Sequence, residues 1–194
     1  DRCVLHTSSD LLTVDVRSRL ALLKRLDDLY RGQTQRRALP QATFKDYQQY
    51  VELLRHSCWY ERDREYWQRK TADMPPRCSL PFRTSPDMLL HPRFAEHTEH
   101  VDAEVWKRFK DQVVQRGLSP SAVLLSLYGS ILAYFSGSTE FPITVTVARR
   151  LPVLPDVGDI LGNFTSTVLH HFVDEPHDIE RLTRIGRFLR ATSL

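Results

Sequence analysis

Two carboxylates and a hydroxyl are spaced closely enough to take part in a reaction. Asp10, Asp15 and Ser18 follow a short apolar run at residues 3–9 and precede a segment with helical periodicity. A carboxylate in such a turn can orient an amine or hold a cation. It can equally accept backbone N–H bonds and cap the following helix. The spacing alone leaves both interpretations open.

A second group of side chains has the chemistry of a metal site. Glu96, His97, Glu99 and His100 are close in sequence. Metal-binding pairs usually lie at fixed spacing on a regular element, and no helix is predicted at these residues. We therefore expect solvated polar side chains and no metal.

The composition indicates an ordinary globular protein. The chain has 194 residues, of which 41% are hydrophobic and 26% charged. Its net charge of +3 comes from dispersed basic residues, which argues against nucleic-acid binding. The most apolar stretch, residues 122–135, is too short to cross a bilayer, so no membrane association is expected.

The cysteines indicate a reducing compartment. Cys3, Cys58 and Cys78 are odd in number and lack CxxC spacing, which disfavours a disulfide framework or zinc site. We therefore expect a cytoplasmic protein. Because the chain starts without Met and enters an apolar run at once, we also expect it to be an internal piece of a longer protein.

Local patterns predict a mixed α/β protein with two layers. A proline-rich stretch at residues 74–92 forbids helix and predicts an extended crossover. The predicted strands are 3–9, 141–148 and 164–173; the predicted helices are 18–31 capped by Ser18, 44–70, 102–117, one opened by Ser119-Pro120, and 178–190. The helix after Pro120 is apolar nearly all round and is expected to be central.

Several motifs together resemble one family. Residues 10–18 match the DxxxxDxxS signature of heterocyclization domains from nonribosomal peptide synthetases. Further segments resemble that family's motifs in the same order: Leu39-Pro40 with Phe44-Lys-Asp-Tyr47 (LP…FxDY), Tyr66-Trp67 (YW), residues 74–82 (LPxxPxLPL, with Cys78 for a proline), Ser119-Pro120 through Phe135 (TPxxx…LxxW), Arg150-Leu-Pro152 (RLP), and residues 162–166 (GDFTS, with Asn163 for Asp).

The resemblance implies a chloramphenicol acetyltransferase-like fold, in which two similar lobes meet around a tunnel. Residues 1–92 would supply the C-terminal part of the N-lobe, and residues 93–194 the N-terminal part of the C-lobe. The implied activity condenses a carrier-bound acyl or peptidyl thioester with Cys, Ser or Thr and cyclodehydrates the product to a thiazoline or oxazoline. The family's cyclodehydration residues would lie outside this chain.

The resemblance also assigns roles and partners. Asp10 and Asp15 become the candidate catalytic residues, with supporting roles for Ser18, Arg150, Asn163, Thr165 and Ser166. Asp15 is expected to pair with Arg150 from the other lobe, which would make it structural, and Asp10 either orients the acceptor amine or closes the turn. No metal or bound cofactor is implied. Phosphopantetheine arms of upstream and downstream peptidyl or aryl carrier domains would deliver substrates, and an adenylation domain would share the assembly line.

Two alternatives remain. Ordinary amide-forming condensation domains carry HHxxxDG at this turn, whereas this chain has Asp10 and Leu11 in place of the two histidines. A degenerate domain that serves only for docking is the other alternative. The His170-His171 pair is one residue short of the HHxxxD spacing and should point to opposite faces of a strand, so it receives no role. Arg181, Arg184, Arg187 and Arg190 are expected to form a solvated face, with an acidic carrier helix as the alternative partner.

Overall fold

The chain folds as a mixture of helices and strands. The computed structural model describes residues 4–33, 40–85, 88, 90–91, 93, 95–175 and 179–192. In chain order, the elements are α1 (Val16–Tyr30), α2 (Phe44–Leu54), α3 (Cys58–Ala72), α4 (Ala103–Gln115), α5 (Pro120–Ser136), β1 (Glu140–Ala148), β2 (Thr165–Val173) and α6 (Ile179–Thr192).

The two strands confirm the predictions made from alternating residues. They pair with each other. The Arg149 N–H donates to the Phe164 carbonyl at one end of the pair (2.9 Å), and the Asp174 N–H donates to the Thr139 carbonyl at the other (2.7 Å). The end of β1 therefore lies beside the start of β2, which makes the pairing antiparallel.

Two predictions about the start of the chain are wrong. Residues 4–9 have no regular structure and are exposed. A strand needs a neighbouring strand to pair its backbone groups, and the described sheet holds only β1 and β2. Helix α1 begins at Val16 with Asp15 as its N-cap, two residues before the predicted helix start and three before Ser18, the predicted cap. Cys3 lies outside the described residues.

The predicted helix over residues 44–70 is two helices. Helix α2 opens with a capping box between Thr43 and Asp46 and ends at Leu54. Ser57 then caps α3, where its hydroxyl accepts the Tyr60 N–H. Apolar residues keep their helical spacing from α2 into α3. Periodicity alone therefore predicts one continuous helix. Leu39 of the LP motif lies outside the described residues.

The crossover and the helices after it largely confirm the predictions. Residues 74–85 contain no helix, while Pro86 and Pro92 lie outside the described residues. Helix α4 ends before Gly117, whose φ of +69° suits glycine, and α5 begins at Pro120. Helix α5 was expected to be buried on nearly all sides, and this expectation is wrong because one side of the helix is exposed. Its small residues, such as Ala122 and Ala133, are buried, whereas large ones, such as Tyr134, are exposed.

The chain divides into two compact units. The first holds the residues up to Asp73 together with residues 146–168, and the second holds residues 74–145 and 169–192. The first buries a core of Tyr47, Ile160 and Phe164. The second buries Ala133, Phe141, Ile143 and Phe172. The assignment of residues 1–92 and 93–194 to two lobes stays a prediction.

Arg181 of the second unit corrects the expectation of a solvated arginine face. It is 1% exposed, and its guanidinium lies 4.7 Å from the centre of the Phe172 ring. It donates to the Ser126 carbonyl (3.2 Å), the Ser130 hydroxyl (2.9 Å) and the Glu175 carbonyl. Arg181 therefore ties α6 to α5, while Arg184, Arg187 and Arg190 are exposed.

No single helix in the described ranges has both the length and the apolar character that a membrane span requires. Helices α4 and α5 have both only as a pair, and that pair is bent by 101°.

Helix α5 makes a close approach that only glycine allows. A Cβ on Gly129 would lie 2.1 Å from the Phe172 ring. Gly129→Ala should therefore destabilise the protein by about 1–3 kcal/mol, because the overpacked ring must move. Urea unfolding of the purified protein measures this.

Gly186 of α6 is the matched control, because a Cβ there meets its nearest neighbour at 3.8 Å. Gly186→Ala should gain up to about 1 kcal/mol from helix propensity. Equal gains for both variants would contradict the packing of Phe172 against α5.

Candidate functional site

Asp15 lies where α1 begins. The first N–H groups of a helix have no partners inside the helix, and aspartate is a favoured cap. Its carboxylate accepts the Ser18 N–H at 2.7 Å. The Asp15 N–H itself donates to the Gly162 carbonyl at 3.0 Å. The DxxxxDxxS turn is thereby joined to the segment before β2.

Arg150 forms the ion pair predicted for Asp15. One guanidinium nitrogen lies 3.3 Å from each Asp15 carboxylate oxygen and 2.9 Å from the Ser18 hydroxyl. Both side chains are buried, with 7% of Arg150 and 3% of Asp15 exposed. The two residues belong to the same compact unit, so they do not bridge the two units that the structure defines.

The other side of the guanidinium organises a loop. The second terminal nitrogen of Arg150 donates to the carbonyls of Ile160 (2.7 Å), Val157 (3.0 Å) and Gly158 (3.4 Å). The guanidinium also lies 3.8 Å from the centre of the Phe164 ring. Desolvation of this cation is therefore offset by oxygen acceptors and an aromatic face.

Ser18 completes the junction. Its hydroxyl is buried, donates to the Gly162 carbonyl at 2.9 Å and accepts the Gly162 N–H at 3.1 Å. The Phe164 N–H reaches the second oxygen of Asp15 at 3.3 Å. Glycine is required at position 162 because a Cβ there would lie 2.3 Å from the Phe44 ring. Ser18 thus joins the turn to Gly162 and Arg150, while its supporting role in a reaction stays a prediction.

The electrostatics keep this pair charged. Burial acts to raise the pKa of Asp15, but hydrogen bonds from Ser18, the charge of Arg150 and the Phe164 N–H outweigh it and lower that pKa below its usual value. Burial also lowers the pKa of Arg150, against the opposing effect of Asp15. Because an arginine stays protonated at neutral pH, the pair is ionic there.

Asp10 has a different environment. It is exposed, and its carboxylate accepts the Leu12 N–H at 2.8 Å. Its carbonyl accepts the Thr13 hydroxyl at 2.8 Å and the Thr13 N–H at 3.0 Å. These contacts match the turn-closing alternative. They leave the carboxylate at the surface.

Asn163, Thr165 and Ser166 line a groove in the first unit. Asn163 accepts the Thr165 N–H at 3.0 Å, which forms a short turn before β2. The groove has a volume of about 920 Å³ and is also lined by residues of α2 and α3, including Trp59 and Trp67. Neither Asp10 nor Asp15 lines it. Helical periodicity does not distinguish aromatic side chains that line a groove from those that pack in a core, so the groove could not be predicted from the sequence.

Tyr47 is a second omission. Its hydroxyl donates to the Arg149 carbonyl at 3.1 Å and accepts the Leu151 N–H at 3.2 Å. The only signal was a polar tip on an apolar stripe of α2. Periodicity indicates that such a side chain is buried, and it says nothing about what the hydroxyl contacts.

Histidine and metal chemistry are not prominent in the described residues. Within those ranges, no cluster of three or more His, Cys, Asp or Glu side chains could hold a metal ion. His170 is buried against the Phe188 ring at 4.6 Å, whereas the more exposed His171 lies 3.2 Å from Glu140. The difference in burial fits side chains on opposite faces of β2.

Comparison with known families identifies the fold. The family model for the Condensation domain matches residues 12–178. The chain belongs to the condensation-domain family. Its fold is accordingly the mixed α/β fold of that family, as the sequence motifs predicted.

Individual members of the condensation-domain family cover most of the chain. It is 33% identical to pyochelin synthetase PchF of Pseudomonas aeruginosa over 96% of its length, and 30% identical to bacitracin synthase 1 of Bacillus licheniformis over 92%. The structure of the EpoB cyclization-docking bidomain from Sorangium cellulosum matches 94% of the chain with 31% identity and a TM-score of 0.83.

The chain corresponds to a small part of each relative. It spans 10% of pyochelin synthetase PchF and 3% of bacitracin synthase 1. It spans 37% of the EpoB bidomain chain.

Removal of the Asp15 charge should destabilise the folded protein. Asp15→Asn retains an oxygen that can cap α1 but leaves the buried Arg150 without its counter-ion. We expect a loss of about 3–5 kcal/mol in the free energy of unfolding at neutral pH. Asp10→Asn, in the exposed turn, should change it by less than about 1 kcal/mol.

The loss of unfolding free energy caused by Asp15→Asn should depend on pH. Because folding depresses the pKa of Asp15, its stabilisation is complete above the unfolded value of about 4 and is lost as the pH falls through the folded value. Urea unfolding of wild type and Asp15→Asn should therefore converge on acidification. A difference that stays constant below about pH 4 would contradict the charged pair.

Proposed function

We propose that this chain is part of a heterocyclization domain of a nonribosomal peptide synthetase. The domain joins a carrier-bound acyl or peptidyl thioester to Cys, Ser or Thr and then cyclodehydrates the product to a thiazoline or oxazoline. The observation that carries the proposal is the DxxxxDxxS turn, with Asp10 exposed and Asp15 buried against Arg150. Similarity to a structure described as a cyclization-docking bidomain supports it.

The chemistry balances without a cofactor bound to the chain. The amine nitrogen of the acceptor attacks the thioester carbonyl, an amide forms, and the carrier thiol leaves. The acceptor's side-chain thiol or hydroxyl then attacks the new amide carbonyl, and one water leaves as the ring closes. A thioester is already activated, so correct placement of a neutral amine can supply much of the rate.

Asp10 and Asp15 would have different roles in the reaction. Both Asp15 oxygens already accept hydrogen bonds from Ser18, Arg150 and Phe164. Asp15 is therefore a positioning residue that fixes the turn, because it has no readily available lone pair for a proton. Asp10 is exposed at the same turn, and its carboxylate is suited to orient an acceptor amine by a charge-assisted hydrogen bond.

The proposal implies specific partners. Phosphopantetheine arms of the upstream and downstream carrier domains would present both substrates, and an adenylation domain of the same assembly line would load the acceptor residue. Asn163, Thr165 and Ser166, which line the groove, would have a supporting role.

An ordinary condensation domain is the competing function, favoured by the match to the general Condensation domain family. It would yield only the linear amide. Intact-mass analysis of the downstream carrier distinguishes the two, because a cyclised chain is lighter than a linear one by a single water.

In the complete synthetase, Asp15→Ala should lower total acyl transfer by roughly 10- to 100-fold, since the turn loses its anchor. Linear and cyclised products should fall together, because ring closure depends on residues outside this chain. Asp10→Asn keeps an acceptor oxygen but loses the charge, so a larger fall than for an exposed control such as Asp111→Asn on α4 indicates amine orientation.

Two results would contradict this proposal. If Asp15→Ala accumulates linear amide at the wild-type rate without the ring, the turn serves cyclodehydration. If the wild type forms only linear amide with Cys, Ser and Thr acceptors, the heterocyclization assignment itself is wrong.

A further inference from the structure

Tyr47 contacts the backbone on both sides of Arg150. Its side chain lies on α2 and is 4% exposed. The hydroxyl accepts the N–H of Leu151 and donates to the carbonyl of Arg149. One oxygen atom thus fixes the peptide groups that precede and follow Arg150.

The ring of Tyr47 contacts the aromatic platform beneath the same guanidinium. It meets the Phe164 ring edge-on, with centres 4.7 Å apart, and Phe164 lies under Arg150 at 3.8 Å. Tyr47 therefore touches both supports that set the guanidinium's position, the backbone and the ring below it.

Packing alone does not account for the hydroxyl. Phe44, on the same helix, also packs against Phe164, with ring centres 5.0 Å apart, and does so without a polar atom. A buried hydroxyl is costly unless it is hydrogen-bonded, and this one has both a donor and an acceptor placed for it.

We infer that Tyr47 is a positioning residue that holds Arg150 in register with Asp15, and thereby holds the DxxxxDxxS turn for the acyl transfer proposed above. The part that concerns acyl transfer rests on the proposed function. The part that concerns Arg150 and Asp15 rests on the geometry and can be tested separately.

A double-mutant cycle tests the coupling within the protein. Urea midpoints are measured for wild type, Tyr47→Phe, Asp15→Asn and the double variant. If Tyr47 acts through Arg150, the midpoint shift caused by Asp15→Asn becomes smaller in the Tyr47→Phe background, because the pair is already loosened. Additive shifts would overturn the inference, whatever reaction the synthetase catalyses.

Activity per folded molecule tests the link to the reaction. Acyl transfer in the complete synthetase is assayed at a temperature at which circular dichroism shows every variant folded. Tyr47→Phe should lower kcat by roughly tenfold or more, the scale of effect expected when a reacting group is misplaced. Tyr50→Phe is the matched control, because Tyr50 is on the same helix and 47% exposed, and it should retain wild-type kcat.

A rescue variant keeps the inference testable if Tyr47→Phe does not fold. Tyr47→4-aminophenylalanine retains a para group that can donate to the Arg149 carbonyl, so it should fold and recover part of the lost kcat. Wild-type kcat in Tyr47→Phe would overturn the catalytic part, and so would an equal loss in Tyr50→Phe. An absence of rescue by a folded 4-aminophenylalanine variant would also count against it.

Discussion

The burial of one guanidinium is the constraint on which the first compact unit depends. Arg150 is only 7% exposed, and an isolated buried cation would cost several kcal/mol. The chain offsets that cost with two carboxylate oxygens, a hydroxyl and three backbone carbonyls, all from Asp15, Ser18 and residues 157–160. The N-terminus of α1 and the loop before β2 can therefore be buried only together.

This constraint also limits what the site can do chemically. The lone pairs of Asp15 are directed at fixed donors, and its pKa is held low, so it is a poor proton acceptor at neutral pH. A reaction that begins from an activated thioester depends less on a strong base than on placement of the nucleophile. Asp10, on the exposed side of the same turn, is close enough in sequence to benefit from that rigidity.

Much of this arrangement could be predicted from the sequence, because it is indicated either by local residue patterns or by family motifs in a fixed order. Alternation identified β1 and β2, and Pro120 and Gly117 marked helix ends by their restricted or permissive φ. The ion pair of Asp15 with Arg150 came from the order of family motifs, since nothing local connects residues so far apart. That the pair lies within one compact unit could not be predicted, because it depends on which surfaces pack together.

The role of the Tyr47 hydroxyl could not be predicted because its partners are distant in sequence. Periodicity shows that Tyr47 faces a core, but the partners of its hydroxyl belong to residues a hundred positions later in the chain. The break between α2 and α3 was hidden for a related reason. The apolar stripe continues across it, and the cap that Ser57 supplies involves a single hydrogen bond of 3.3 Å.

Arg181 shows why the helical pattern itself was misinterpreted. Arginines at every third residue look like one face, yet each step of three falls short of a full turn by about 60°. Arg181 and Arg190 are thus about 2.5 turns apart and point to opposite sides of α6. The first is buried on Phe172 and the second is exposed. Each compact unit thus buries one arginine that lies on a phenylalanine and donates to backbone carbonyls. In both cases the guanidinium links its own element to another segment, Arg150 to residues 157–160 and Arg181 to α5.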